Sequence, residues 1–158
     1  MVLREDEITH IKAIITAALN EVYEHDGYLI QHQIHERSIV ARFVIYFHEQ
    51  LKNTHYSHYH LDVEYNRNFS DPKRTPSFSD GTYPDVIVHR RGSNKENLCI
   101  LEFKTQWNQN TDRDITKLKE FTEKSGTYQY GAGFMIVIGN NAPEIQTVIN
   151  GELQSKLF

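Results

Sequence analysis

The sequence predicts an α/β fold, a small mixed β-sheet with helices on its two faces. Three observations lead there. Two N-terminal segments carry apolar residues at helical spacing, three later segments carry strand patterns, and an apolar run after a short helical segment reads as a buried strand with a parallel neighbour.

In the first segment Ile8, Ile11, Ile15, Leu19 and Val22 share one helical face, with Gly27 as the stop. The second stripe is Ile39, Val40, Phe43, Val44, Phe47 and Leu51, starting near Glu36 and fading into the polar loop KNTHYSHYH. LDVEY alternates Leu61, Val63 and Tyr65 against Asp62 and Glu64, as a strand with one covered face does. The stretch RNFSDPKRTPSFSDGTY, rich in Ser, Asp, Pro and Gly, is expected to be a mobile loop on the substrate side.

PDVIVHR and LCILEFK read as an antiparallel hairpin about the turn RGSNKEN. In DITKLKEF, Ile115, Leu118 and Phe121 have helical spacing, and GAGFMIVIG is apolar enough for a fully buried strand. A last helix is expected from Pro143, with Ile145, Val148, Ile149 and Leu153 inward. A strand, a helix and a strand in one sheet imply a right-handed crossover.

At 158 residues the chain suits one domain over residues 1–158, large enough for a core without disulfides. With 39% hydrophobic and 24% charged residues it fits neither a disordered, a fibrous nor a membrane protein. Cys99 is the single cysteine, and its place in LCIL marks a buried, quiet thiol. No apolar signal core opens the chain and no run approaches a membrane span of roughly 20 residues, so a cytoplasmic protein with no membrane partner is expected. A net charge of −4 argues against a strongly basic nucleic-acid coat, although local clusters decide affinity.

The charges of the hairpin carry the candidate chemistry. Paired positions in a hairpin share a constant index sum, so a turn centred near Ser93 and Asn94 sets Asp85 opposite Glu102. Opposed residues on one face have Cβ atoms about 5 Å apart, close enough for two carboxylates to hold one hard cation. Glu102 and Lys104 share a face about 6.5 Å apart along the strand, while Leu101 and Phe103 point the other way. Carboxylates so close repel, and a divalent ion with the Lys104 ammonium beside it would compensate them. Oxygen ligands suit Mg²⁺ or Mn²⁺, metals of phosphate chemistry.

Pro84-Asp85, an interval, then Glu102-Phe103-Lys104 resembles the signature of the PD-(D/E)XK, or restriction-endonuclease-like, superfamily. Its core of helix, three-strand meander, helix and strand resembles the order read here from about residue 36 to residue 139, giving αβββαβ with an extra N-terminal and C-terminal helix. The resemblance implies a metal-dependent nuclease acting on phosphodiester bonds in DNA, with metal held by Asp85, Glu102 and the Phe103 backbone carbonyl. It implies Lys104 as partner of the catalytic base or as charge stabiliser, and dimers where two strands are cut.

Many members of that family add an acid from the helix before the meander, and Glu36 matches that position. Its alignment with Val40, Phe43 and Phe47 agrees, while a first-turn carboxylate on a helix dipole is the plainer reading. Glu64 is a further candidate, against a solvated face or a salt bridge to Arg67. Asp114 and Lys117 resemble a polar pair of the family's next helix, but an exposed ion pair is the expectation.

Lys73, Arg74, Arg90, Arg91 and Lys95 lie on loops and are candidates for phosphate contacts. His55, His58 and His60 form a tract that could take Zn²⁺ or Ni²⁺, although no cysteine lies near to close such a site. No serine-nucleophile, Walker or dinucleotide motif is present. The alternative of another class is a nuclease-like domain without turnover, serving as a nucleic-acid-binding or protein-interaction module.

Overall fold

Alternation of apolar residues at helical spacing produces two long helices, α1 (Glu5–His25) and α3 (Glu36–Lys52), which pack on each other. The computed structural model describes residues 1–108 and 110–155. Between the two helices Asp26 breaks the first one, and Gly27, expected as a stop, instead opens the short α2 (Gly27–Gln31). Asp26 also ties the pair together, accepting from Arg42 Nε at 2.8 Å and from the Tyr46 hydroxyl at 2.7 Å.

The strands are β1 (His60–Val63), β2 (Arg67–Asn68), β3 (Asp71–Pro72), β4 (Val86–His89), β5 (Asn97–Thr105), β6 (Ala132–Ile138), β7 (Glu144–Ile149) and β8 (Glu152–Leu153). Six of them form one sheet in the order β1-β4-β5-β6-β7-β8, in which only β5 and β6 run parallel. That parallel pair is joined through α4 (Asp112–Thr122), as the apolar run of β6 predicts.

Period two along the strands sorts the core into two layers. Leu101, Phe103, Phe134 and Ile136 face α1 and α3, where the Phe43 and Phe103 ring centroids lie 5.0 Å apart. Ile87, Ile100, Met135 and Val148 face the other way, onto Leu118 and Phe121 of α4. Glu102 and Lys104 belong by parity to this second face.

Three expectations need correction. The C-terminal segment is not a helix: it forms β7 and β8, and β7 pairs antiparallel with β6. Asn150-Gly151 decides this, because both residues have positive φ, +51° and +77°, the geometry of a two-residue type I′ hairpin turn. Pro143 therefore precedes an outer strand rather than starting a helix.

The segment 67–83 was expected to lack secondary structure, yet β2 and β3 pair within it. It is fastened to α4, because Glu120 accepts from the Thr75 hydroxyl and from the Ser77 N–H and hydroxyl. The strand LDVEY also stops early. Glu64 takes φ +49° and turns the chain, so Tyr65 leaves the sheet and Val63 on edge strand β1 is 49% exposed. Among the described residues no helix is long and apolar enough to cross a membrane.

Candidate metal and phosphate centre

The β4–β5 register builds the site. Val86 pairs with Leu101, Ile87 with Ile100 and Val88 with Cys99, and one step further in the same register Asp85 stands opposite Glu102. A bulge follows Val88, displacing only the turn end. Pro84 has no N–H to give the ladder, and Asp85 closes the β4 end with its side chain: Oδ2 accepts the Phe103 N–H at 2.7 Å. The N–H and C=O of one strand residue point to the same side, so the Phe103 carbonyl opens toward the same edge.

Around this pair the fold assembles four carboxyl groups, Glu36, Asp85, Glu102 and Asp114, and two ammonium groups, Lys104 and Lys117. Lys117 Nζ lies 2.7 Å from Glu102 Oε2 and 3.6 Å from Asp114 Oδ1, and donates to the Tyr83 carbonyl at 3.2 Å. Lys104 Nζ lies 2.9 Å from Asp114 Oδ2. Glu36, first residue of α3, approaches from the opposite layer to the backbone of Thr105. If all six groups are ionised, two negative charges stay uncompensated in a region largely withdrawn from water.

Electrostatics follow from that imbalance. Burial pushes the carboxyl of Glu102, 1% exposed, well above the usual range, and the charge of Asp85 adds to the push. Burial raises Asp85 too, against the Phe103 N–H and the two lysines, and it raises Glu36. For Lys104 burial alone would lower the pKa, but Asp114, Glu36 and Asp85 outweigh it and the ammonium is held more firmly than in water. Glu36 Oε2 and Glu102 Oε1 are buried with no hydrogen-bond partner among the described residues. Such orphaned acceptors are costly unless a cation or proton meets them. Among the described residues no three His, Cys, Asp or Glu side chains converge in metal-ligating geometry. The carboxylates instead lean on Lys104 and Lys117.

A groove of about 600 Å³ opens on Asp85 and Glu36, between the start of α3 and the end of β1. His35, Arg37, Val40 and Glu64 line it as well, and Arg37 Nη2 lies 3.3 Å from Glu64 Oε1. Glu64 is thus a rim residue, paired with Arg37 rather than Arg67.

Asp114 and Lys117, expected to be an exposed ion pair, are 6% and 8% exposed and complete the cluster. The sequence does hold their signal: positions 114, 117, 118 and 121 fall on one helical face, so the polar pair continues the stripe of Leu118 and Phe121. A right-handed crossover then sets the first turn of α4 beside the C-terminal end of β5.

The basic candidates go elsewhere. Lys73 is buried, its ammonium 4.6 Å from the centre of the Tyr128 ring and within 6 Å of Tyr65 and Tyr130, and burial lowers its pKa to about 8. It does not reach the surface. Arg74 is exposed, and its N–H donates to the Tyr128 hydroxyl. Arg90 faces Glu96 and the His58 carbonyl, and Arg91 grips Asp62, both at the turn end of the hairpin. Five residues of strand, roughly 16 Å, separate that end from Asp85. Lys95 is exposed in the same turn. His55 and His58 are exposed and lie against Tyr56 and Tyr59, with ring centroids 4.0 and 4.4 Å apart. Cys99 is fully buried, and burial pushes its thiol up, which leaves it unreactive.

Comparison of this chain with protein-family models, with curated proteins and with solved structures gives no match.

Proposed function

We propose that the chain is a metal-dependent nuclease that hydrolyses phosphodiester bonds in DNA, built on a restriction-endonuclease-like core. The observation that carries this reading is the buried excess of carboxyl over ammonium groups, with orphaned oxygens on Glu36 and Glu102. The order α3, β1, β4, β5, α4, β6 supports it, since it agrees with the helix, meander, helix and strand of that superfamily. β7 and β8 are then additions at the far edge of the sheet.

The donor set suits a hard divalent cation, being all oxygen and short of positive charge. Asp85, Glu102 and the Phe103 carbonyl would hold Mg²⁺ or Mn²⁺, with Glu36 as a further ligand, and the ion supplies Lewis-acid stabilisation at a phosphoryl oxygen. The chain's own groups do the rest. Phe103 N–H fixes the Asp85 carboxylate, and Lys117 orients that of Glu102. Lys104 keeps its proton at neutral pH, so it neutralises charge gathering on the phosphate rather than removing a proton from water. Asp114 steadies Lys104 between turnovers. The groove beside Asp85 admits the strand, and a cytoplasmic homodimer acting on two strands belongs to the same reading.

One observation favours a second reading: Lys117 already sits on Glu102, and no ready-made metal group is found among the described residues. A nuclease-like scaffold without turnover, binding nucleic acid or protein, would look so. Incubation of duplex, branched and single-stranded DNA and of RNA with Mg²⁺ or Mn²⁺, and with a chelator, separates the two. The nuclease cleaves only with metal and loses cleavage in Asp85→Ala and Lys104→Ala. Cleavage that survives both substitutions refutes the mechanism, and DNA affinity without cleavage in wild type and Lys104→Ala supports the binding module.

A further inference from the structure

A second cavity lies on the other side of the acidic cluster. It occupies about 530 Å³ over the α4 face of the sheet, beneath the turn between β6 and β7. Its floor includes Val137, the register partner of Lys104 on β5, so it begins one strand spacing, about 5 Å, from that lysine.

Its lining has a consistent chemistry. Gln106, Asn140, Asn141 and Gln146 bring side-chain amides to one cavity, and among the described residues Glu144 is the one ionisable side chain there and no Lys or Arg lines it. A pocket without cations does not suit a phosphate, and amides that donate and accept side by side suit a neutral, planar, polar ligand. Gln106 is fixed for this: its N–H donates to the Ile138 carbonyl at 2.8 Å, and its Oε1 accepts from Asn140 N–H at 3.3 Å. That leaves its NH₂ as a donor. The side-chain amides of Asn140, Asn141 and Gln146 enter no hydrogen bond among the described residues. A smaller recess of about 220 Å³ shares Gln106 and Asn140 and is lined by Gln33 and Trp107 as well, Trp107 packing against the core layer of α1 and α3.

We propose that this cavity takes an unpaired nucleobase, so that the substrate strand is single-stranded or locally unpaired as it passes Lys104. The inference deepens the nuclease reading and rests on it for the path of the strand. In a duplex the hydrogen-bonding edges of the base are engaged and its faces stacked, so amides that pair with those edges reach them only once the base leaves the stack.

The test is fluorescence anisotropy of the full-length protein with labelled homopolymer oligodeoxynucleotides, single-stranded and as duplexes. It is run with chelator and again with Ca²⁺, beside a separate Mg²⁺ cleavage assay. Wild type is expected to bind single strands about tenfold more tightly than duplexes and to discriminate among the four bases. Asn140→Ala combined with Gln146→Ala, at exposed positions, should lose about tenfold in single-strand affinity and most of that discrimination, with an unchanged melting temperature. Equal affinity for duplexes, or amide variants that bind as wild type does, overturns the base pocket and leaves the nuclease reading standing if cleavage persists. Base-dependent binding without cleavage in any metal supports the pocket and overturns the nuclease.

Discussion

Acid is withdrawn from water in two places beside the β4–β5 hairpin, and the two are treated in opposite ways. Half-buried Asp62, on β1 opposite Ile87, receives His89 Nε2 at 2.8 Å and both arms of Arg91 from the turn end, so its charge is met. Burial alone would raise Asp62, but Arg91 and His89 outweigh it and hold the carboxyl below its ordinary range. At the open end Asp85, Glu102 and Glu36 are all pushed up, first by burial and then by the neighbouring carboxylates, since four carboxyl groups share two lysines. Satisfied charge serves folding. Unsatisfied charge costs stability, and that contrast is what the proposed metal centre rests on.

The contrast is sharpest in activity. Asp85→Ala and Lys104→Ala are expected to reduce metal-dependent cleavage by at least about 100-fold, whereas Asp62→Ala should leave cleavage per folded molecule within a few-fold of wild type. Initial rates on the best-cleaved substrate check this. Loss of equal size at both ends would erase the distinction.

Stability should rank them the other way. Asp62→Asn strips Arg91 and His89 of their partner and is expected to cost about 2 kcal/mol. Glu102→Gln relieves acid crowding while Lys117 keeps Asp114 nearby, and should leave stability within about 0.5 kcal/mol of wild type or raise it. Urea denaturation measures both.

The response to pH carries the same signature more weakly. Groups with raised pKa bind protons in the folded state first, so Glu102, Glu36 and Asp85 favour folding most below their ordinary values of 4.5 and 3.8. That contribution fades as pH climbs through the raised values. Asp62 is the reverse, present above 3.8 and lost as pH falls through its lowered value. His89, lowered from 6.5 chiefly by burial, also loses stability on acidification. The diagnostic is therefore a difference: as pH drops from 7 toward 5, Tm of wild type should gain on that of Glu102→Gln. Parallel Tm curves would count against the acid excess.

Much of this contrast was legible in the residues. The index sum through Ser93 and Asn94 agrees with Asp85 opposite Glu102, and period two puts Glu102 with Lys104; the turn itself sets His89 on Asn97, and the bulge after Val88, which no residue pattern announces, restores the expected register. Asp114 and Lys117 carry a weaker signal: they continue the stripe of Leu118 and Phe121, but ion pairs at that spacing usually face water, and the packing of α4 on β5 is what withdraws them. The burial of Lys73 is hidden in the same way: nothing local announces that three tyrosines, two of them more than fifty residues away, enclose it. The C-terminal hairpin has a legible signal in its turn pair. Pro143 and an apolar spacing that also fits a helix masked the Asn-Gly turn, and the smallest expected effect tests it: Gly151→Ala, at φ +77°, should cost about 1 kcal/mol.

Direct binding of Mn²⁺, followed by paramagnetic resonance as the free ion disappears, reaches the central claim without need of a substrate. Wild type is expected to take up Mn²⁺ saturably, Mg²⁺ to compete, and Asp85→Asn combined with Glu102→Gln to abolish uptake while the protein stays folded. Wild type that leaves Mn²⁺ free, or a doubly substituted protein that binds it equally well, would contradict the reading of this cluster as a metal centre.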